Sequence, residues 1–212
     1  MIITAEKSWA DLFRIVSADG ASEDDRKYMW RQILKRYSEP HRKYHNMTHI
    51  DKCFSGCHFL FENYRIYSLE LAILFHDIIY KPRKDDNEFQ SAEFLREFMN
   101  VGSNNQIVNA ACGIIKRTNY TKKYVSKNII DQCMHDIDFA IFAESDDYVT
   151  YETNIRKEYD FVDDETYYKH RAKFLIGILE KKQIFYTPQY YDLYERLARE
   201  NILWTLGRII TK

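Results

Sequence analysis

The chain has 212 residues, 45% of them apolar, which suffices for one substantial core and hardly for two. Its 31 Lys and Arg balance 32 Asp and Glu, and the formal net charge of −1 argues against bulk electrostatic capture of nucleic acid. Six Gly and three Pro are sparse punctuation, which suits long helices with short connections and speaks against a β-sandwich or barrel.

Met1 to Ala10 lacks the basic-then-apolar order of a secretory leader, and no apolar run is long enough for a membrane span. A cytoplasmic protein with no membrane partner is therefore expected, with Cys53, Cys57, Cys112 and Cys133 as reduced thiols. Trp9, Leu12, Phe13 and Val16 make the apolar stripe of a first helix that stops near Asp19-Gly20. Ser22 reads as the cap of a second, with Glu23, Asp24 and Asp25 at the positive end of its dipole. That helix ends before Pro40, and Ser38 to Met47 reads as a loop. Thr48 with Asp51 resembles a capping box opening a third helix through Ile50, Cys53, Cys57 and Leu60.

The run Leu69 to Tyr80 is apolar on every side, which predicts a buried core helix carrying His76-Asp77 inside it. Asp86 is the expected cap of a helix over Glu88 to Met99, followed by Ile107 to Lys116, Ser126 to Phe142 and Asp146 to Tyr159. Asp164 to Lys182 and Pro188 to Ile210 complete the chain, Pro188 standing in a first turn. Without repeat, low-complexity tract or linker, one all-α domain over residues 1–212 is the economical expectation.

A buried carboxylate beside a buried imidazole costs several kcal/mol unless a hydrogen bond, an opposite charge or a metal compensates. His49 near a helix start, His76-Asp77, and Asp138 inside the apolar segment Met134 to Phe142 make one candidate ligand set. Helical bundles build metal sites by turning one polar residue inward from each of several helices. Two imidazoles and two carboxylates suit one divalent ion of the Mn, Fe, Ni, Co, Mg or Zn group, leaving positions open for water and substrate. Such an ion lowers the pKa of bound water and polarises a phosphoryl or carbonyl oxygen. A rival zinc site from His45, His49, Cys53 and Cys57 is poor. Three ligands at four-residue spacing on one helix span about 12 Å of rise, beyond what bonds of about 2.1–2.3 Å can gather.

The order of a lone His, a His-Asp pair and a distant Asp resembles the signature of the HD superfamily of metal-dependent phosphohydrolases. The resemblance extends to a little-characterised bacterial branch. It rests on Tyr37 to Ile50, Phe75 to Tyr80, Asp86-Asn87-Glu88 with Ser91-Ala92, Asp136-Ile137-Asp138, Ile155 to Tyr159 and Glu195 to Asn201, and so covers residues 37–201. It implies an all-α bundle of the HD-domain type, metal ligands His49, His76, Asp77 and Asp138, and hydrolysis of a small phosphomonoester or nucleotide. Two departures stand out. Some members carry an acid one turn after the pair, where this chain has Tyr80; Glu88 is the preferred substitute, with strengthening of a helix start as its plainer role. The additional histidines of two-metal members are absent from Ile115 to Tyr120, which favours a single ion.

His45, Lys116 and Arg117 are the expected contacts to substrate phosphate. Asp136, on another helix face from Asp138, is expected behind the ligands or in solvent, and Arg156, Arg171 and Arg199 as ion pairs rather than a phosphate clamp. A metal-containing ligand-binding or signalling module without turnover is the alternative. The 17 Tyr and 13 Phe allow a pocket wall or a homodimer seam.

Overall fold

The structure, a computed structural model, describes residues 4–17, 21–99, 105–120, 126–144 and 147–210. Among these residues it is all helix: α1 (Ala5–Val16), α2 (Glu23–Tyr37), α3 (Met47–Leu60), α4 (Tyr67–Phe75), α5 (Asn87–Met99), α6 (Gln106–Arg117), α7 (Ile129–Phe139), α8 (Tyr148–Glu158), α9 (Asp164–Leu179) and α10 (Pro188–Ile210). A 3₁₀ turn, Ala140–Ala143, follows α7. No described helix is long and apolar enough to cross a membrane. Contacts group the chain into two units, residues 1–134 and 135–212.

In the first unit α4 is the hub. Every residue from Leu69 to Phe75 is buried, and α1, α3, α5 and α6 pack around it. The apolar-all-round pattern therefore does mean a core helix. Its one acid, Glu70, is buried and held bidentately by Arg65, which also reaches Asp11 near α1's C-terminal half. Ser22 and Asp25 close the capping box that opens α2. The Asp19-Gly20 stop lies outside the described residues.

Four local expectations fail. Asn46, not Thr48, caps α3, its side chain accepting the Thr48 amide at 2.9 Å. Asp51 is instead drawn across to the first amide of α1, accepting from Ala5 N at 2.8 Å. The core helix stops at Phe75, so His76-Asp77 sits in the turn just beyond it. α7 gives way to the 3₁₀ turn after Phe139 rather than continuing to Phe142, and α9 ends at Leu179.

The second unit holds α8, α9 and α10, with α10 packed on α9 and on the 3₁₀ turn. Asp136, expected in solvent or behind a metal, is fully buried and does something else. It accepts from Tyr186 N at 2.9 Å, from Thr187 N at 2.6 Å and from the Thr187 hydroxyl at 2.8 Å, fixing the residues that lead into α10. Those amides cannot be satisfied inside the helix they precede, and a buried carboxylate supplies the acceptor. Glu195 acts likewise on the connection before it, accepting from Ile184 N at 2.9 Å and Phe185 N at 3.0 Å.

Two predictions follow from these buried groups. Asp136→Ala, which strands several amides, should lower stability by about 3 kcal/mol, read as a fall in urea midpoint; an unchanged midpoint would refute the anchoring role. Burial pushes the Cys57 thiol up to about 12 and, likewise, the Tyr151 phenol up to about 12. Both folded-state values lie above their ordinary ones, so the stability they contribute is present below about pH 9–10 and is lost as pH rises toward 12. Urea midpoints across that alkaline window should fall less for Cys57→Ser than for the parent chain.

Candidate metal centre

His49, His76 and Asp77 converge within the first unit. His49 is presented by the first turn of α3; His76 and Asp77 follow the last turn of α4. His49 Nε2 and His76 Nε2 face each other at 3.3 Å. The Asp77 Oδ2 lies 3.2 Å from His76 Nε2 and 3.8 Å from His49 Nε2. An ion with bonds of about 2.1 Å spaces its ligand atoms roughly 3.0–3.8 Å apart as the angle opens from about 90° to about 130°. These three residues could hold a metal ion.

The tautomer of His76 is set by the backbone. Its Nδ1 donates to the Ile73 carbonyl at 2.9 Å, so in the neutral ring the lone pair is on Nε2 and points at the other two ligand atoms. A single hydrogen can bridge one pair among three converging acceptors; a divalent cation satisfies all three. Burial pushes the Asp77 carboxyl up, yet the electrostatic pull of His76, and of His45 and His49 beside it, holds it below the ordinary carboxylate range. Asp77 is the open side of the trio, its side chain 18% exposed against 3% for His49 and 2% for His76. Solvent therefore reaches the trio from the carboxylate side.

The turn bearing His76-Asp77 is held by a residue that sequence reasoning passed over. Arg42 lies in the polar segment read as a loop, yet its side chain is fully buried. Its Nη1 donates to the carbonyls of Asp77 at 2.7 Å and His45 at 3.0 Å, its Nη2 to that of Ile78 at 3.0 Å. Glu39 accepts from its Nε at 3.0 Å, and the guanidinium lies over the rings of Tyr37 and Tyr80. Tyr37 adds a hydrogen bond to the Leu74 carbonyl at 2.8 Å. The available signal was an Arg three residues from both an acid and a His, in a segment otherwise aromatic; only the fold reveals the carbonyls it serves.

The remaining expected residues fall as follows. His45 is half-buried beside Asp77, its ring stacked on Tyr80 at 4.2 Å and edge-on to His49 at 6.0 Å. Tyr80 is buried by that stack. Glu88 stands in the first turn of α5, half-buried, accepting from Asn119 at 3.1 Å. Lys116 pairs with Glu93 at 2.7 Å, and Arg117 grips Asp131 with two bonds of 2.7 and 2.9 Å. Cys53 places its sulfur 3.8 Å from His49 Nδ1, whereas the Cys57 thiol is held protonated by burial, a core role.

Asp138 belongs to the second unit, half-buried in the last turn of α7, where its charge is felt by His135 and Tyr151. The three arginines are each tied within that unit. Arg156 binds Asp164 and the carbonyls of Tyr159 and Val162; Arg171 binds Glu152 and the Tyr151 hydroxyl. Arg199 binds Glu195 and the carbonyls of Leu179 and Lys181. The ion-pair reading of these residues holds, although Arg156 chooses Asp164 over Glu158.

Arg42→Lys keeps the charge but cannot reproduce the planar fork. We expect both Arg42→Lys and Arg42→Ala to weaken divalent-metal binding by roughly 10–100-fold, the range for residues that orient ligands. Val16→Ala, a remote core change in α1, should lower the urea midpoint while leaving metal affinity unchanged. Equal metal affinity in Arg42→Ala and Val16→Ala would remove the positioning role.

Set against protein-family models, curated proteins and solved structures, the chain finds no match in any of the three comparisons.

Proposed function

We propose that the protein is a metal-dependent phosphohydrolase acting on a small phosphomonoester or nucleotide. The observation that carries the reading is the convergence of His49 Nε2, His76 Nε2 and Asp77 Oδ2 within 3.8 Å of one another, with the His76 tautomer fixed for coordination. Reaction class comes from the ordered resemblance to HD phosphohydrolases, which also nominates Asp138 as the fourth ligand of a single ion.

A bound divalent ion would supply Lewis-acid stabilisation of a phosphoryl oxygen and a more acidic water. Asp77, on the open side of the trio, is the carboxylate best placed to act on both ion and substrate. His45, next to it, is the proposed donor to substrate phosphate. Glu88 keeps its nomination as the proton-handling acid, in competition with its hydrogen bond to Asn119. Lys116 and Arg117 would have to leave Glu93 and Asp131 to meet a phosphate, which makes them the weaker of the proposed substrate contacts.

One observation favours a second reading. The place where an HD enzyme can carry an acid holds Tyr80, buried against His45. A module that keeps the ion to bind a phosphorylated ligand without turnover fits that substitution. A panel of phosphomonoesters with Mn²⁺, Co²⁺ or Mg²⁺, run beside elemental analysis, separates the two. The enzyme reading expects about one ion per chain and phosphate release that falls at least about 100-fold in Asp77→Ala but persists in Val16→Ala. Bound metal without turnover supports the module; absence of metal under saturating conditions defeats both.

A further inference from the structure

The second unit holds a cleft that the metal chemistry does not use. It measures about 370 Å³ and opens among α8, α9 and α10, lined by Arg156 and Lys157, by Tyr167 and Arg171, and by Trp204 and Arg208. That volume lies within the range of small-molecule sites, which pair apolar and aromatic walls with a few converging polar groups. Four of these six side chains are cations, and Glu152 is the carboxylate among the lining residues. Adding Asp164, which pairs with Arg156, still leaves the cations ahead among these described residues.

The walls are built before any ligand arrives. Glu152 takes two of the Arg171 bonds, at 3.0 and 2.6 Å, and Arg156 is locked by Asp164 and the carbonyls of Tyr159 and Val162. Arg156 lies over the Tyr167 ring at 4.7 Å, and Arg208 over the Trp204 indole at 4.7 Å. Trp204 is the anomaly. Its side chain is 45% exposed, while Trp9 is 0% and Trp30 8% exposed. An indole left in water beside cations is a stacking surface for a planar ring that brings negative charge. Tyr167 adds a buried hydroxyl with no hydrogen-bond partner among the described residues.

We propose that this cleft binds a small aromatic anion of the nucleoside monophosphate class, its ring against Trp204 and its phosphate beside Lys157 and Arg208. A bare phosphate would leave the aromatic walls wet, and a neutral nucleoside would bring no charge to a lining of four cations and one acid. The cleft shares no lining residue with the His49, His76 and Asp77 trio, and its occupancy does not depend on the hydrolase reading.

Trp204 is itself the reporter, because the other two tryptophans are buried. The full chain in its Asp77→Ala form, which prevents turnover, is titrated with adenosine 5′-monophosphate, inorganic phosphate and adenosine while tryptophan fluorescence is followed. Saturable quenching by the nucleotide is expected, at least about tenfold tighter than by phosphate or adenosine. Lys157→Ala with Arg208→Ala should weaken it at least about tenfold, a loss of about 1.4 kcal/mol, and Trp204→Phe should abolish the signal. Absence of saturable quenching, equal response to inorganic phosphate, or an unaltered titration in the double variant would each overturn the proposal. So would persistence of the signal in Trp204→Phe. Nucleotide binding in a chain shown to hold no metal would leave the cleft standing and the hydrolase reading defeated.

Discussion

A single buried guanidinium sets the geometry on which the proposed chemistry rests. Arg42 donates to the Asp77, Ile78 and His45 carbonyls, so one rigid planar group fixes both the turn after α4 and the segment leading into α3. Those carbonyls have no helical amide to meet, and leaving them unpaired in the interior would cost about 1–3 kcal/mol each. The charge that satisfies them is in turn compensated by Glu39 and by the faces of Tyr37 and Tyr80. His76 and Asp77 inherit their positions from this arrangement.

The same device recurs at other helix ends. Helices commonly finish on a glycine in the left-handed region, but this chain has six glycines in all. Arginine takes over part of that work: Arg156 serves carbonyls just past α8, and Arg199 serves those at and beyond the end of α9. Helix starts are handled with the opposite charge, Asp136 and Glu195 accepting the amides that precede α10. A nearly neutral, highly charged composition is thus spent internally. The cleft among α8, α9 and α10 keeps four cations and one acid in its lining.

At the candidate metal centre, burial and openness are divided between the three side chains. The two imidazoles are sunk in the core, the His76 ring held in orientation by the Ile73 carbonyl, while Asp77 stays partly open to solvent. Tyr80 closes one flank by stacking on His45. The aromatic excess of the chain therefore has a local use here, holding a histidine ring beside a carboxylate, as well as filling the cores.

Much of this was legible in order of residue type alone. The period of apolar positions located the ten helices seen among the described residues, the featureless hydrophobicity of Leu69 to Phe75 marked the central one, and the His-Asp pair within an apolar run identified where charge had to be compensated. Helix formation and burial are local or averaged properties, so a linear pattern carries them. Tertiary structure alone decided where α4 ends, that Asp51 serves α1, that Asp136 anchors the entry to α10, and that Arg42 braces the ligand turn. Each of those outcomes is a hydrogen bond between groups 35 to 51 residues apart, or a helix end shaped by one. Capping propensities see only neighbours within a turn, whereas a buried carbonyl or amide takes whichever charged partner the fold brings within 3 Å.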